Sequence, residues 1–294
     1  MGCFGIYPVG IRGTVFELAT DVIQSAIGAT DMDRAEAAAK SILEKLITGA
    51  RLRYRESQSL GEHDFDLEYP SGTKVPLEVT ISTDEAAEAT RAAIRNRRRQ
   101  GSFVPRVHSA YDWYVHPRRY ANINKIRARV DGCLAAIEVE GRKKFNAFTD
   151  STESPAVFKI LQELGIEYGD TIGWKSPGIR IAMPADGGLI DSAVVNEAVE
   201  TEARKIDIQR KLSSAPGVEK HLFVYVATTR HIVWAAVRDE NPPTAGPALP
   251  PEITDAWVTA WAGDGAWHTV WHARRGFSWA HKGRVNIDTG DIVQ

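Results

Sequence analysis

Cysteine is scarce in this chain: Cys3 and Cys133 are the only two in 294 residues, and methionine occurs three times. Without paired spacing, two cysteines support neither a disulfide framework nor a cysteine-based zinc site. No run approaches the ~18 to 20 apolar residues that span a bilayer, so no membrane partner is expected. The opening MGCFGIYPVGIRGTVFELATD has neither the basic start nor the apolar run of a secretory signal. Ile6 stands where a myristoylation signal carries Ser or Thr. Cytoplasmic location is the resulting expectation. GxSxG, Walker and GxGxxG motifs are missing too, Gly187-Gly188 is too little for a phosphate cradle, and no internal repeat is visible.

The net charge is only −2, yet charge is unevenly spread. Between Arg91 and Arg129 stand eleven Arg or Lys residues against a single acid, Asp112. That local excess is an electrostatic footprint for a polyanion. Arg91, Arg95, Arg97, Arg98 and Arg99 crowd at one end of it, more cations than a helix C-terminus needs. They are the candidate nucleic-acid contacts, to DNA or RNA. Tyr111, Trp113 and Tyr114 would offer stacking surfaces to a single strand.

A Thr30 cap precedes Ala35, Ala38, Ala39, Ile42, Leu43, Leu46 and Ile47 at helical spacing, with Gly49 as the stop. Glu36 falls within that apolar arc; pairing with Lys40 is its bland reading. RLRYRES (51–57) reads as a strand. In HDFDLEY, Phe65, Leu67 and Tyr69 alternate with Asp64, Asp66 and Glu68. Pro70-Ser71-Gly72-Thr73 makes a hairpin turn, after which Val75, Leu77, Val79 and Ile81 oppose Lys74, Pro76, Glu78 and Thr80. A turn centred on Ser71-Gly72 sets Glu78 opposite residue 65, flanked by both Asp64 and Asp66. Acids on a strand face are commonly just solvated, but three this close also suit a divalent cation.

Further on, a helix follows Thr83-Asp84-Glu85, HSAYDWYVHP reads as a strand, and 121–140 as a helix. Then come a helix at 155–164, a strand at 178–184, one long helix at 194–212 and the buried strand HLFVYVA. His221 ahead of that strand reads as structural. His268 and His272 have the i, i+4 spacing of a zinc-binding helix without an evident third ligand, and the Trp-rich tail reads as core or interface.

A helix carrying Glu36, Asp64 opening one strand and Glu78-Val79-Thr80 on the next together resemble the PD-(D/E)XK nuclease-like superfamily. The stretch DFxL…LEVT is also similar to a group of uncharacterised actinobacterial proteins. The resemblance implies a restriction-endonuclease-like α/β core, a mixed sheet flanked by helices over residues 1–145, whose helix, three strands, helix and fourth strand would be supplied in that order by residues 31–117. A C-terminal α/β extension at 146–294 would follow, with room on the same sheet. It further implies a metal-dependent nuclease, or an inactive nucleic-acid-binding or scaffold protein of that fold, and leaves room for a homodimer. Mg²⁺ or Mn²⁺ would be held by Asp64, Glu78 and the carbonyl of Val79, with Asp66 as rival or third ligand and Glu36 in support. Thr80 stands where the family motif has lysine. Lys74, Lys205 or Lys211 are the candidates to replace it.

Overall fold

The computed structural model describes residues 31–55, 62–95, 103–104, 108–150, 154–171, 177–182, 191–239, 242–262 and 266–293. Thr30, Cys3 and Gly187-Gly188 lie outside them. The fold is mixed α/β, with two sheets and seven helices among the described residues. The described residues divide into two units interleaved along the chain: one holds those up to 82, 192–226 and from 233 onward, the other those within 83–191 and 227–232. The boundary expected at 145 falls inside the second unit, because its strands pair with partners on both sides of that point.

The first unit begins with helix α1 (Asp31–Leu46), then strands β1 (Arg51–Tyr54), β2 (Phe65–Glu68) and β3 (Lys74–Ser82). Ala35, Ala38, Ala39, Ile42 and Leu43 are all buried on α1, as their spacing requires, and pack with Phe65, Leu67, Val75, Leu77 and Val79. Gly49 adopts φ +77° just beyond the helix, a conformation that glycine takes without steric cost. The β2–β3 connection is a three-residue loop, 70–72, closed by Tyr69 N–H donating to Thr73 O, with Gly72 at φ +82°.

After the residues of the second unit the chain returns in helices α5 (Ala193–Ala203) and α6 (Ile206–Ser214). It continues through β9 (His221–Val226), α7 (His231–Arg238), β10 (Asp255–Ala262), β11 (Trp267–Arg274), β12 (Ala280–Asn286) and β13 (Ile292–Val293). The helix expected over 194–212 is broken at Lys205, whose extended φ −61°, ψ 129° re-aims α6. The eight strands run in the order β1-β2-β3-β9-β10-β11-β12-β13. β3, β9 and β10 are mutually parallel; the remaining neighbours are antiparallel. β3 is buried on both faces, α1 lying against one and α5 and α6 against the other. Pro76 is tolerated in it because β9 begins only at the level of Leu77, so no ladder bond is lost.

The second unit comprises α2 (Glu85–Arg95), β4 (Phe103–Val104), β5 (Asp112–Pro117), α3 (Ile123–Val139), β6 (Lys144–Asn146), α4 (Pro155–Glu163), β7 (Ile166–Thr171) and β8 (Gly178–Ile181). Its sheet runs β4-β8-β5-β7-β6 over a separate core that includes Trp113, Ile126, Leu134, Phe145 and Phe158. This corrects one expectation: 112–117 is not the strand that completes the sheet of β1 to β3. β9 takes that place, and α5 and α6, rather than α2, precede it.

Candidate functional site

Side chains alternate along β3, so Val75, Leu77 and Val79 enter the α1-side core while Glu78 and Thr80 point towards α5 and α6. There Glu78, 3% exposed, meets Lys211 of α6, whose Nζ donates to Glu78 Oε1 at 2.6 Å. The same ammonium lies 3.6 Å from Asp64 Oδ1. Asp64 Oδ2 accepts from the Val79 backbone N–H at 2.8 Å, which holds this carboxylate beside the end of β2. In an antiparallel ladder a residue's C=O leaves on the same edge as its N–H, so the Val79 carbonyl also faces that side.

A second chain of contacts lies one strand position along. Thr80 Oγ1 donates to Glu202 Oε2 at 2.8 Å, and Lys205 Nζ stands 2.6 Å from the same oxygen. Glu202 is itself buried on α5.

Burial, reinforced by the neighbouring charge of Asp64, pushes the Glu78 carboxyl up to about 8, even with Lys211 opposing the shift. Burial works to lower the Lys211 amine, but the hydrogen bond and charge of Glu78, with Asp64 and Asp207, carry it upward. Glu78 Oε2 is buried without a hydrogen-bond partner. An unpartnered carboxylate oxygen beside a second carboxylate suits a cation ligand, so Asp64 and Glu78 fit the hard-ion donor set expected of them.

The other expected residues divide. The three-residue turn pairs Phe65 with Leu77, one step from the expected register, so Asp64 alone comes level with Glu78. Asp66 is drawn away: His63 Nε2 lies 2.7 Å from it and Arg55 3.9 Å. It does not join Asp64 and Glu78 in a three-ligand group. Glu36 sits on α1, the helix that covers the opposite face of β3. Lys74 lies at the far end of β3, bonded to Glu68 at 2.9 Å, and Lys205 is held by Glu202; of the three lysines only Lys211 reaches the carboxylates.

Arg91 is corrected as a phosphate contact. It is 8% exposed and pairs with Glu88 at 3.4 Å. The Arg95 side chain and Arg97, Arg98 and Arg99 lie outside the described residues. Acids elsewhere in the fold meet other cations of this stretch, Arg118 with Glu167 and Arg119 with Asp84. Arg129 and Lys125 remain exposed on α3.

His268 and His272 belong to a strand, β11, so the helical i, i+4 geometry does not arise. A different set was not foreseen: Glu219, His221 and Asp255 each place a ligand atom within 4.8 Å of the others, a grouping that could hold a metal ion. Its signal was faint, since β9 and β10 are in register at His221 and Asp255 only once the strands are paired.

No family model, no curated protein and no solved structure matches the chain. Among the described residues, no helix is long and apolar enough to cross a membrane.

Proposed function

We propose that this chain is a metal-dependent nuclease that hydrolyses phosphodiester bonds, with Asp64, Glu78 and Lys211 as its reacting constellation. The reading is carried by one observation: a lysine from α6 lies on Glu78 and Asp64, supplying the ammonium that Thr80 cannot. The strand plan supports it too, since one helix, three antiparallel strands, a helical segment and a parallel strand follow in the order the resemblance implies.

Asp64, Glu78 and the Val79 carbonyl would hold Mg²⁺ or Mn²⁺. Such an ion supplies hydroxide at neutral pH and offsets charge on the phosphate. Lys211 would keep its proton and hydrogen-bond a water or a phosphate oxygen. Thr80 holds Glu202, and Glu202 holds Lys205, so a second ammonium stays fixed beside the motif. The basic excess between 91 and 129 supports nucleic acid as the polyanion.

The test is cleavage of labelled DNA and RNA, single- and double-stranded, in Mn²⁺ by the wild type, Glu78→Gln and Lys211→Met. Cleavage lost at least ~100-fold in both variants, each retaining its fold by circular dichroism, is the expected result. Wild-type protein that binds these substrates in a salt-dependent manner and cleaves none would instead establish the non-catalytic binder, the reading favoured by Thr80 at the motif position.

A further inference from the structure

The opposite face of the first unit's sheet carries a second polar site. At the starts of β9 and β10, His221 and Asp255 stand side by side, and both point to the α1 side with Phe223 and Trp257. With Glu219, Tyr69 and Trp257 they line an open cleft of about 750 Å³, together with residues 46–48 at the end of α1 and His281 and Lys282 of β12.

Asp255 is 5% exposed. Its Oδ1 meets His272 Nε2 at 2.9 Å, whereas Oδ2 is buried without a hydrogen-bond partner. His281 Nε2, also at this cleft, is buried and unpartnered. An orphaned carboxylate oxygen in a site open to solvent asks for a donor.

The His221 ring distinguishes between donors. Trp257 Nε1–H donates to His221 Nδ1 at 3.3 Å, and an indole N–H can only donate. The imidazole proton therefore sits on Nε2, directed at Glu219 Oε1 at 3.0 Å and towards Asp255 Oδ2 at 3.6 Å. A metal bound at Nε2 would displace that proton and leave Nδ1 needing one where the indole already donates. Spacing admits an ion here; the tautomer disfavours it. The cleft is also far larger than a hydrated ion requires.

We propose that this cleft binds a planar ligand edge bearing paired N–H donors of the guanidine type, shared by a guanidinium group and by the N1–H/N2–H edge of guanine. Two carboxylates, Glu219 just ahead of β9 and Asp255 at the start of β10, offer separate acceptors, which a planar donor fork meets with fixed directions where an ammonium is only a point charge. The Tyr69 ring on the cleft wall suits a flat, electron-poor group laid against it, whereas Trp257 is buried and already stacked on His272. Tyr69 reports the same field: burial, then the charges of Glu219 and Asp255, push its hydroxyl up to about 12. The cleft lies across the sheet from Lys211, so this binding is separate from hydrolysis.

Calorimetric titration of the full chain with agmatine and with guanosine tests this, with putrescine and inosine as partners lacking the fork. Glu219 has a half-exposed side chain, so Glu219→Gln leaves the fold intact. At least one of agmatine and guanosine should bind, and Glu219→Gln should weaken it on the order of tenfold, the loss of one charge-assisted hydrogen bond. A preference for guanosine assigns a nucleoside, and a preference for agmatine a guanidinium side chain. Failure of both to bind, equal binding of putrescine or inosine, or indifference to Glu219→Gln overturns the proposal. So does one equivalent of Zn²⁺ bound more tightly than either and lost in Glu219→Gln.

Discussion

Glu78 and Lys211 form a pair whose members want different things from a cation. The ammonium neutralises the carboxylates when no ion is bound, and an ion would claim the same oxygens. Lys211→Met should therefore destabilise the metal-free protein by about 1–3 kcal/mol at pH values where Glu78 is ionised, through an uncompensated carboxylate. Mn²⁺ should restore the loss, because binding to the native state stabilises by mass action; thermal melts in EDTA and in Mn²⁺ read this directly, and a deficit that Mn²⁺ leaves untouched would refute it. Protonation enters the same competition. A carboxyl raised to about 8 must shed its proton to take a metal, so Mn²⁺ affinity should tighten as pH rises towards 8, and Glu78→Gln should abolish that dependence.

His268 makes an independent residue-level prediction. Burial alone lowers its pKa from 6.5 to about 4. The unfolded chain therefore binds the proton more readily than the folded one. The His268 contribution is complete above the unfolded value of 6.5 and fades as pH falls through about 4. It amounts to something on the order of 3 kcal/mol. His268→Leu should flatten the acid limb of stability between those pH values in urea titrations; an unchanged limb would show that other groups dominate it.

Among elements, the hairpin decides the site. Its alternation was legible in the sequence: Val75, Leu77 and Val79 face the core, and Glu78 faces away from them. The pairing was not, because register depends on how many residues the turn consumes. A three-residue loop with Gly72 in the left-handed region shifts the partner of Phe65 to Leu77, which selects Asp64 over Asp66. Beyond Gly72 and its two chain neighbours, no atom lies within 4 Å of the position a Gly72 Cβ would occupy. Gly72→Ala should thus cost only backbone strain, about 1–2 kcal/mol in urea unfolding, and a cost near zero would mean the turn relaxes. Lys211 was one of three candidates for a related reason. Nothing local distinguishes it until the break at Lys205 turns α6 so that Lys211 meets β3.

On the scale of the whole molecule, α/β character could be read from the alternation of apolar runs, but the interleaving could not. Residues 83–191 have ordinary helices and strands, so β5 was a reasonable continuation of the first sheet by sequence order alone. Only strand pairing reveals that β3 is completed by β9, far along the chain. Two sheets with separate cores predict separable responses. Phe158→Ala, at a fully buried site in the second core, should cost about 3–5 kcal/mol there while amide exchange in β3 and β9 stays protected. Uniform loss of protection would show that the chain unfolds as one cooperative body.

The most direct test of the proposed centre is a crystal structure of the protein soaked in Mn²⁺, read by anomalous scattering. The nuclease reading requires an ion about 2.0 to 2.3 Å from both Asp64 and Glu78, with the Lys211 amine moved off Glu78. An intact Lys211–Glu78 pair without an ion beside it, or an ion at Glu219 and Asp255 alone, would contradict that reading.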